Sequence, residues 1–179
     1  MRRLITAALI AFAFSSCAVA NRPLQGKYQN GPVTSETEIS VERIWSRLVD
    51  LVARNGLTVS LLDKASGLLV IDRTSLSVTR EKSQKDFDRR KEYEPGEIYN
   101  RNAWAVSSHW DIAGTVAIPT YVTGKMNVWV KDDGSKRTVN ALLYDIRAER
   151  EDPKTGAMSY TVKSTGQLEN LIVSSLAKP

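Results

Sequence analysis

One cysteine and one histidine among 179 residues leave this chain little reactive chemistry. A zinc centre needs several convergent His, Cys or carboxylate ligands, so no metal is expected, and no other cofactor either. No Gly-rich phosphate loop follows a strand, and no Gly-x-Ser-x-Gly elbow occurs. Cys17 has no second cysteine in the chain to bond with, so the fold stands on its core. Long apolar runs are also missing. Leu4 to Phe14 falls well short of the roughly twenty residues needed to cross a hydrocarbon core, and no second stretch of that kind follows. Charge of one sign is scarce too. The formal +5 includes Arg2 and Arg3, so the chain beyond residue 16 carries +3 (5 − 2). That is too little to suggest a nucleic-acid partner.

What stands at the N-terminus is ordered. Met1-Arg2-Arg3 is positive, Leu4–Phe14 is apolar, and Ser15-Ser16 is small. This is the layout of a secretory signal. With Cys17 at the cut, Phe14-Ser15-Ser16-Cys17 resembles the lipobox of bacterial lipoproteins. The resemblance implies residues 1–16 as signal peptide and Cys17 as the lipidated first residue of the mature chain. Phe14 departs from the Leu usual at that place. Ala18, rather than Asp, after the cysteine implies sorting to the outer membrane of a Gram-negative cell, lipid-anchored on the periplasmic face. Each buried CH₂ of an acyl chain contributes about 0.8 kcal/mol, so several chains hold a domain at a surface. An ordinary cut after Ala18-Val19-Ala20 is the competing reading.

Residues 17–33 are rich in Asn, Gln, Gly and Pro, lack periodicity, and read as a tether. Residues 34–179 read as one domain. Thr34–Ile39 suggests a first strand. Val41–Arg54 is the clearest helix: Ser40 is a natural N-cap, apolar residues fall at 41, 44, 45, 48, 51 and 52, and Asn55-Gly56 ends it. Leu57–Leu62 and Leu68–Thr74 form a hairpin across Asp63–Gly67. The window 80–102 holds seven basic and six acidic residues and reads as a long charged loop, with a short helical piece around 84–93. Strand signals return at Ala103–Ile118. Tyr121–Lys131 and Arg137–Glu149 pair across the turn Asp132-Asp133-Gly134-Ser135. Met158–Ser164 suggests one more strand. Gly166–Ala177 is a terminal helix, with Thr165 as N-cap and a stripe at 168, 171, 172 and 176. Tight turns make neighbouring strands antiparallel, and helices then cover one face. The expected class is α+β: a curved antiparallel sheet packed on N-terminal and C-terminal helices.

The stretch Ser40-Val41-Glu42-Arg43-Ile44-Trp45-Ser46-Arg47-Leu48, then Gly56-Leu57-Thr58-Val59, then Asp63-Lys64-Ala65-Ser66-Gly67-Leu68-Leu69-Val70 carries a second likeness. It resembles the repeated domain of the C subunit of the outer-membrane β-barrel assembly machine, itself a lipoprotein. The resemblance implies a helix-grip fold, with Trp45 in the core and Gly67 in a turn. It covers about 40 residues of the 179. That subunit has two such domains behind a long segment; this chain has room for one.

Few residues suggest chemistry. Ser107 and His109 would share a strand face, but no acid is placed to orient the ring; Ser108 and His109 would point apart. Asp132-Asp133-Gly134 has the carboxylates for calcium, yet a hairpin turn explains it. Trp104 and Trp110, six apart, would share a face of one strand, with Tyr121 and Trp129 nearby. Such a set suits a core, or an apolar groove between sheet and terminal helix. Tyr93, Ile98 and Tyr99 among the loop charges suit partner contact. The expectation is a non-catalytic lipoprotein, membrane-bound through Cys17, binding or scaffolding an envelope protein complex. Outer-membrane protein assembly is the process the resemblance implies. Trp104, Trp110, Tyr93 and Tyr99 are the candidate contact residues. The rival expectation is a carrier of lipid or another hydrophobic ligand in the groove.

Overall fold

A computed structural model describes residues 24–81, 98–112, 115–152 and 156–178. Cys17, Tyr93 and the helical piece expected at 84–93 lie outside the described residues. The architecture is α+β, with mostly antiparallel sheets and two helices.

The largest sheet has six strands. β1 (Val33–Thr37), β9 (Arg137–Asp152), β8 (Tyr121–Asp132), β3 (Leu68–Ser75) and β2 (Thr58–Asp63) lie side by side in that order, and β10 (Gly156–Ser159) also pairs with β9. All these pairings are antiparallel. Period-2 alternation sets the core face. Val122, Met126, Val128 and Val130 of β8 are buried, while Thr123, Lys125, Asn127 and Trp129 between them are only partly so. Helix α1 (Val41–Arg54) and helix α2 (Gln167–Ala177) contribute Ile44, Trp45, Leu48, Leu168, Ile172, Val173 and Leu176 to the same core. Arg137 to Asp152 makes β9 sixteen residues long, so Glu151 and Asp152, where a turn was expected to start, belong to the strand.

The continuous strand expected over Ala103–Ile118 does not form. β5 (Ala105–Ser107) joins a small sheet with β11 (Val162–Ser164) and β4 (Val78–Arg80), whereas β6 (Trp110–Ile112) pairs only with β7 (Thr115–Ala117). The β4–β5 pair is parallel, a departure from an all-antiparallel arrangement. Separate strands cancel the inference that Trp104 and Trp110 share a face. Met158–Ser164 likewise divides into β10 and β11.

Helix α1 has the expected bounds, and Ser40 Oγ accepts from the Arg43 N–H at 3.4 Å. Helix α2 differs in two ways. Gly166, at φ 79°, is the N-cap instead of Thr165; the Thr165 hydroxyl donates to backbone carbonyls at Ala103 and Trp104. Its buried face runs through Leu168, Glu169, Ile172, Val173 and Leu176, whereas Leu171 is 57 % exposed.

Glu169 takes the place the stripe gave to Leu171, and the edge of β9 explains why. β1 covers Arg137–Ala141 on that edge and β10 covers Glu149–Asp152. Between those two segments, the Leu143 N–H donates to Glu169 Oε1 at 3.4 Å. The Ser164 hydroxyl donates to the same oxygen at 2.7 Å and accepts from the Gly166 N–H at 2.9 Å. A buried polar chain thus fastens the start of α2 to the middle of β9.

The expected tether is docked from Leu24 onward. Leu24 and Tyr28 are buried with Val106 and Ile98. The Gln25 N–H donates to Glu81 Oε1 at 3.0 Å, and the Gln29 N–H donates to the Ser164 carbonyl at 3.2 Å. The Tyr28 hydroxyl donates to the Gln25 carbonyl and lies against the Glu81 carboxylate. Burial first, then the Glu81 charge and hydrogen bond, hold the Tyr28 phenol far above its ordinary 10.0. The fold therefore favours the neutral phenol. Below pH 10.0 its contribution is complete, and it is lost as pH rises above that value toward the raised folded-state one. In a phenolate absorbance titration, the difference between the parent and Tyr28→Phe should place the Tyr28 step well above pH 10.0. A difference step at the ordinary 10.0 would contradict the docking.

Candidate functional site: a cleft between the sheet and both helices

A cleft of about 660 Å³ opens where the end of α1, the bend of β3 and the side of α2 meet. That volume lies inside the ~300–1,000 Å³ range of small-molecule sites. Its floor is apolar and belongs to the core: Ile71, Met126, Leu168 and Ile172. Half-buried Leu51, Leu57 and Trp104 form walls, and exposed Leu171 stands at the rim. Asn55, Thr58, Thr74, Ser75 and Ser175 supply a polar border.

Each wall is fixed by local structure. Trp104 precedes β5, and its backbone is gripped from both sides. Its N–H meets the Ser77 carbonyl at 3.1 Å and Ser77 Oγ at 3.1 Å, while its carbonyl accepts from the Thr165 N–H at 3.1 Å. The end of α1 is closed as firmly. Leu51 O accepts from Asn55 N (3.2 Å) and Asn55 Nδ2 (2.7 Å), Val52 O from Leu57 N (3.1 Å), and Ala53 O from Gly56 N (3.4 Å). The third wall is made by irregularity: the β3–β8 register breaks between Ile71 and Thr74. Within that bulge Arg73 takes φ 48°, a left-handed conformation costly for a residue with a Cβ. Its neighbour Asp72 pairs with Lys125 at 3.6 Å.

Of the residues expected to make contacts, Trp104 lines this cleft. Tyr99 does not; it is 60 % exposed, with Arg80 Cζ 5.3 Å from its ring centroid, on the side of the small sheet. Trp110 lies in β6, where only the backbone is described. Tyr93 and Cys17 are outside the described residues. Trp129 sits on the sheet face away from the core, opposite Asn140, and Tyr121 is exposed opposite Glu149. Ile98 packs under the docked N-terminal segment instead of presenting a surface. Ile71, Arg73, Met126 and Leu171 line the cleft without having been singled out as contact residues. Arg73 left one trace in sequence: Asp72-Arg73 interrupts the apolar strand Leu68–Ile71.

Ser107, Ser108 and Asp132, weighed for chemistry, have structural duties. Ser107 is fully buried and donates to the Thr79 carbonyl at 3.3 Å. Ser108 exchanges bonds with Thr161: Oγ accepts its N–H at 3.1 Å, and its own N–H donates to the Thr161 carbonyl at 2.8 Å. His109 lies half-buried past the end of β5. Asp132 Oδ1 accepts from the Gly134 N–H at 3.0 Å and pairs with Arg137 at 3.2 Å, so it closes a hairpin. Among the described residues no group of three or more His, Cys, Asp or Glu converges, and no helix is long and apolar enough to cross a membrane. Comparison with protein-family models and with curated proteins finds no match to this chain.

Proposed function

We propose that this chain is a non-catalytic binding module of a Gram-negative cell envelope. Lipid on Cys17 holds it at the outer membrane, facing the periplasm, and the cleft is its binding site. The helix-grip likeness to the assembly-machine subunit is part of this reading. What carries the binding role is the cleft, whose apolar floor, fixed Trp104 and open rim suit an apolar guest. That observation favours hydrophobic binding in the groove over a scaffold that meets partners only through charged loops.

The test uses full-length protein carrying Cys17→Ser and an environment-sensitive apolar dye, N-phenyl-1-naphthylamine. Saturable binding of one dye per chain is expected, and Leu171→Arg should weaken it about tenfold, the loss of one well-placed apolar contact and its replacement by charge. Leu171 is exposed, so the substitution leaves the fold intact. Dye binding that is absent, or indifferent to Leu171→Arg, would sink the cleft as the site. Cys17→Ser should also abolish acyl labelling and release the protein from the membrane fraction; retained labelling would refute the anchor.

A further inference from the structure

The cleft is apolar on its floor and carries two charged residues at its border. Among the described residues that line it, Asp72 is the only acid and Arg73 the only base. Asp72 lies 3.6 Å from Lys125 Nζ, which also lies 3.8 Å from Asp145. Arg73 makes no hydrogen bond or ion pair with any described residue, although acids that could serve an arginine are common in this fold. Arg54 pairs with Asp50 at 2.8 Å, Arg137 with Asp132 at 3.2 Å and Arg147 with Asp145 at 3.1 Å. Of the last α1 residues, Leu51 lines the cleft, and its carbonyl accepts from Asn55 N and Nδ2.

Arg73 is also held in place at a cost. At φ 48° it occupies backbone space that a glycine would fill with less strain. The bulge between Ile71 and Thr74 does two things at once. It leaves Ile71 on the floor and sets the next-but-one residue, Arg73, unpaired among the described residues, on the border. An apolar trough with one unpaired cation at its edge matches a molecule with a long apolar tail and a single anionic head.

From this placement, and resting on the cleft being the binding site, we propose that the ligand is a single-chain acyl amphiphile with an anionic head. The chain lies on Ile71, Met126, Leu168 and Ile172, and the head meets the Arg73 guanidinium. Charge complementarity at Arg73 is what selects this occupant over a neutral lipid or an apolar peptide. A carboxylate or a phosphate head fits a guanidinium equally well.

The experiment is displacement of N-phenyl-1-naphthylamine from full-length Cys17→Ser protein. The competitors are palmitate, lysophosphatidic acid, hexadecanol and an uncharged Leu/Phe-rich peptide. Palmitate or lysophosphatidic acid should displace the dye at about tenfold lower concentration than hexadecanol, the effect of one charge-assisted contact. Which of the two anions does so more tightly distinguishes a fatty acid from a lysolipid source. Arg73→Gln should erase the preference for the anions, so that palmitate and lysophosphatidic acid displace the dye in the same concentration range as hexadecanol. Arg73→Gly gives a second reading: it relieves the backbone, so a variant at least as stable as the parent that still loses anion preference ties the effect to the guanidinium. Equal displacement by hexadecanol, stronger displacement by the peptide, or anion preference that survives Arg73→Gln would each overturn the proposal. If the dye itself does not bind, the cleft reading falls; if the dye binds and no anion competes, only the ligand class falls.

Discussion

Gly67→Ala should cost about 3 kcal/mol or more of folding stability, one of the two largest effects expected from single changes to this chain. Two terms add. Gly67 sits at φ +74°, where a Cβ costs about 1 kcal/mol. A Cβ there would also stand 2.2 Å from the backbone oxygen of Val130, and overpacking of this kind costs about 1–3 kcal/mol. The obstacle cannot swing aside, because it is main chain of the central strand β8. The Val130 N–H also donates to the Gly67 carbonyl at 2.9 Å, so the two segments are held at close approach. Gly134→Ala is the control: its φ is +86° with nothing within 4 Å of the added Cβ. It should lose only the conformational part. Urea midpoints of the two variants read the difference; equal losses would show that the close approach to Val130 is unimportant.

The second large effect is expected at Glu169. Glu169→Leu keeps a side chain in the buried slot but removes the acceptor shared by Leu143 N–H and Ser164 Oγ. Two buried donors without partners cost about 1–3 kcal/mol each, so a loss of about 3 kcal/mol is expected. Glu169→Gln retains an accepting oxygen and should cost about 1 kcal/mol. Amide hydrogen exchange at Leu143 provides a local check. Protection there should collapse in the leucine variant and persist in the glutamine one; if both variants behave alike, the carboxylate does not fasten α2 to β9.

These two sites also mark how far the amino-acid order reaches. Gly67 was legible, because a turn between two apolar strands calls for a residue that accepts positive φ. Helix α1 was legible to its ends, since Ser40, the stripe through Ile44 and Leu48, and Asn55-Gly56 are all local signals. The inward face of α2 was not. Period counting assigns Leu171 inside and Glu169 outside, and only the uncovered edge of β9 reverses them. The same gap between local and tertiary information hid the docking of Leu24 and Tyr28, whose polar neighbours read as linker. Trp104 lines the cleft from the approach to β5, not from a long strand shared with Trp110. Arg73 escaped notice because a bulge, not a pattern, puts it at the border.

The docked segment from Leu24 to Gln29 changes what the proposed anchor can do mechanically. With lipid on Cys17, the seven residues to Leu24 span at most about 25 Å when fully extended, which caps the stand-off of the domain from the bilayer. Any pull on the lipid enters the protein at the small sheet, through Gln25 on Glu81 and Gln29 on Ser164, before it reaches the main one. That sheet includes β5, and the residue just ahead of β5 is Trp104. With lipid on Cys17, tension at the membrane and the shape of the cleft wall would therefore meet within a few residues.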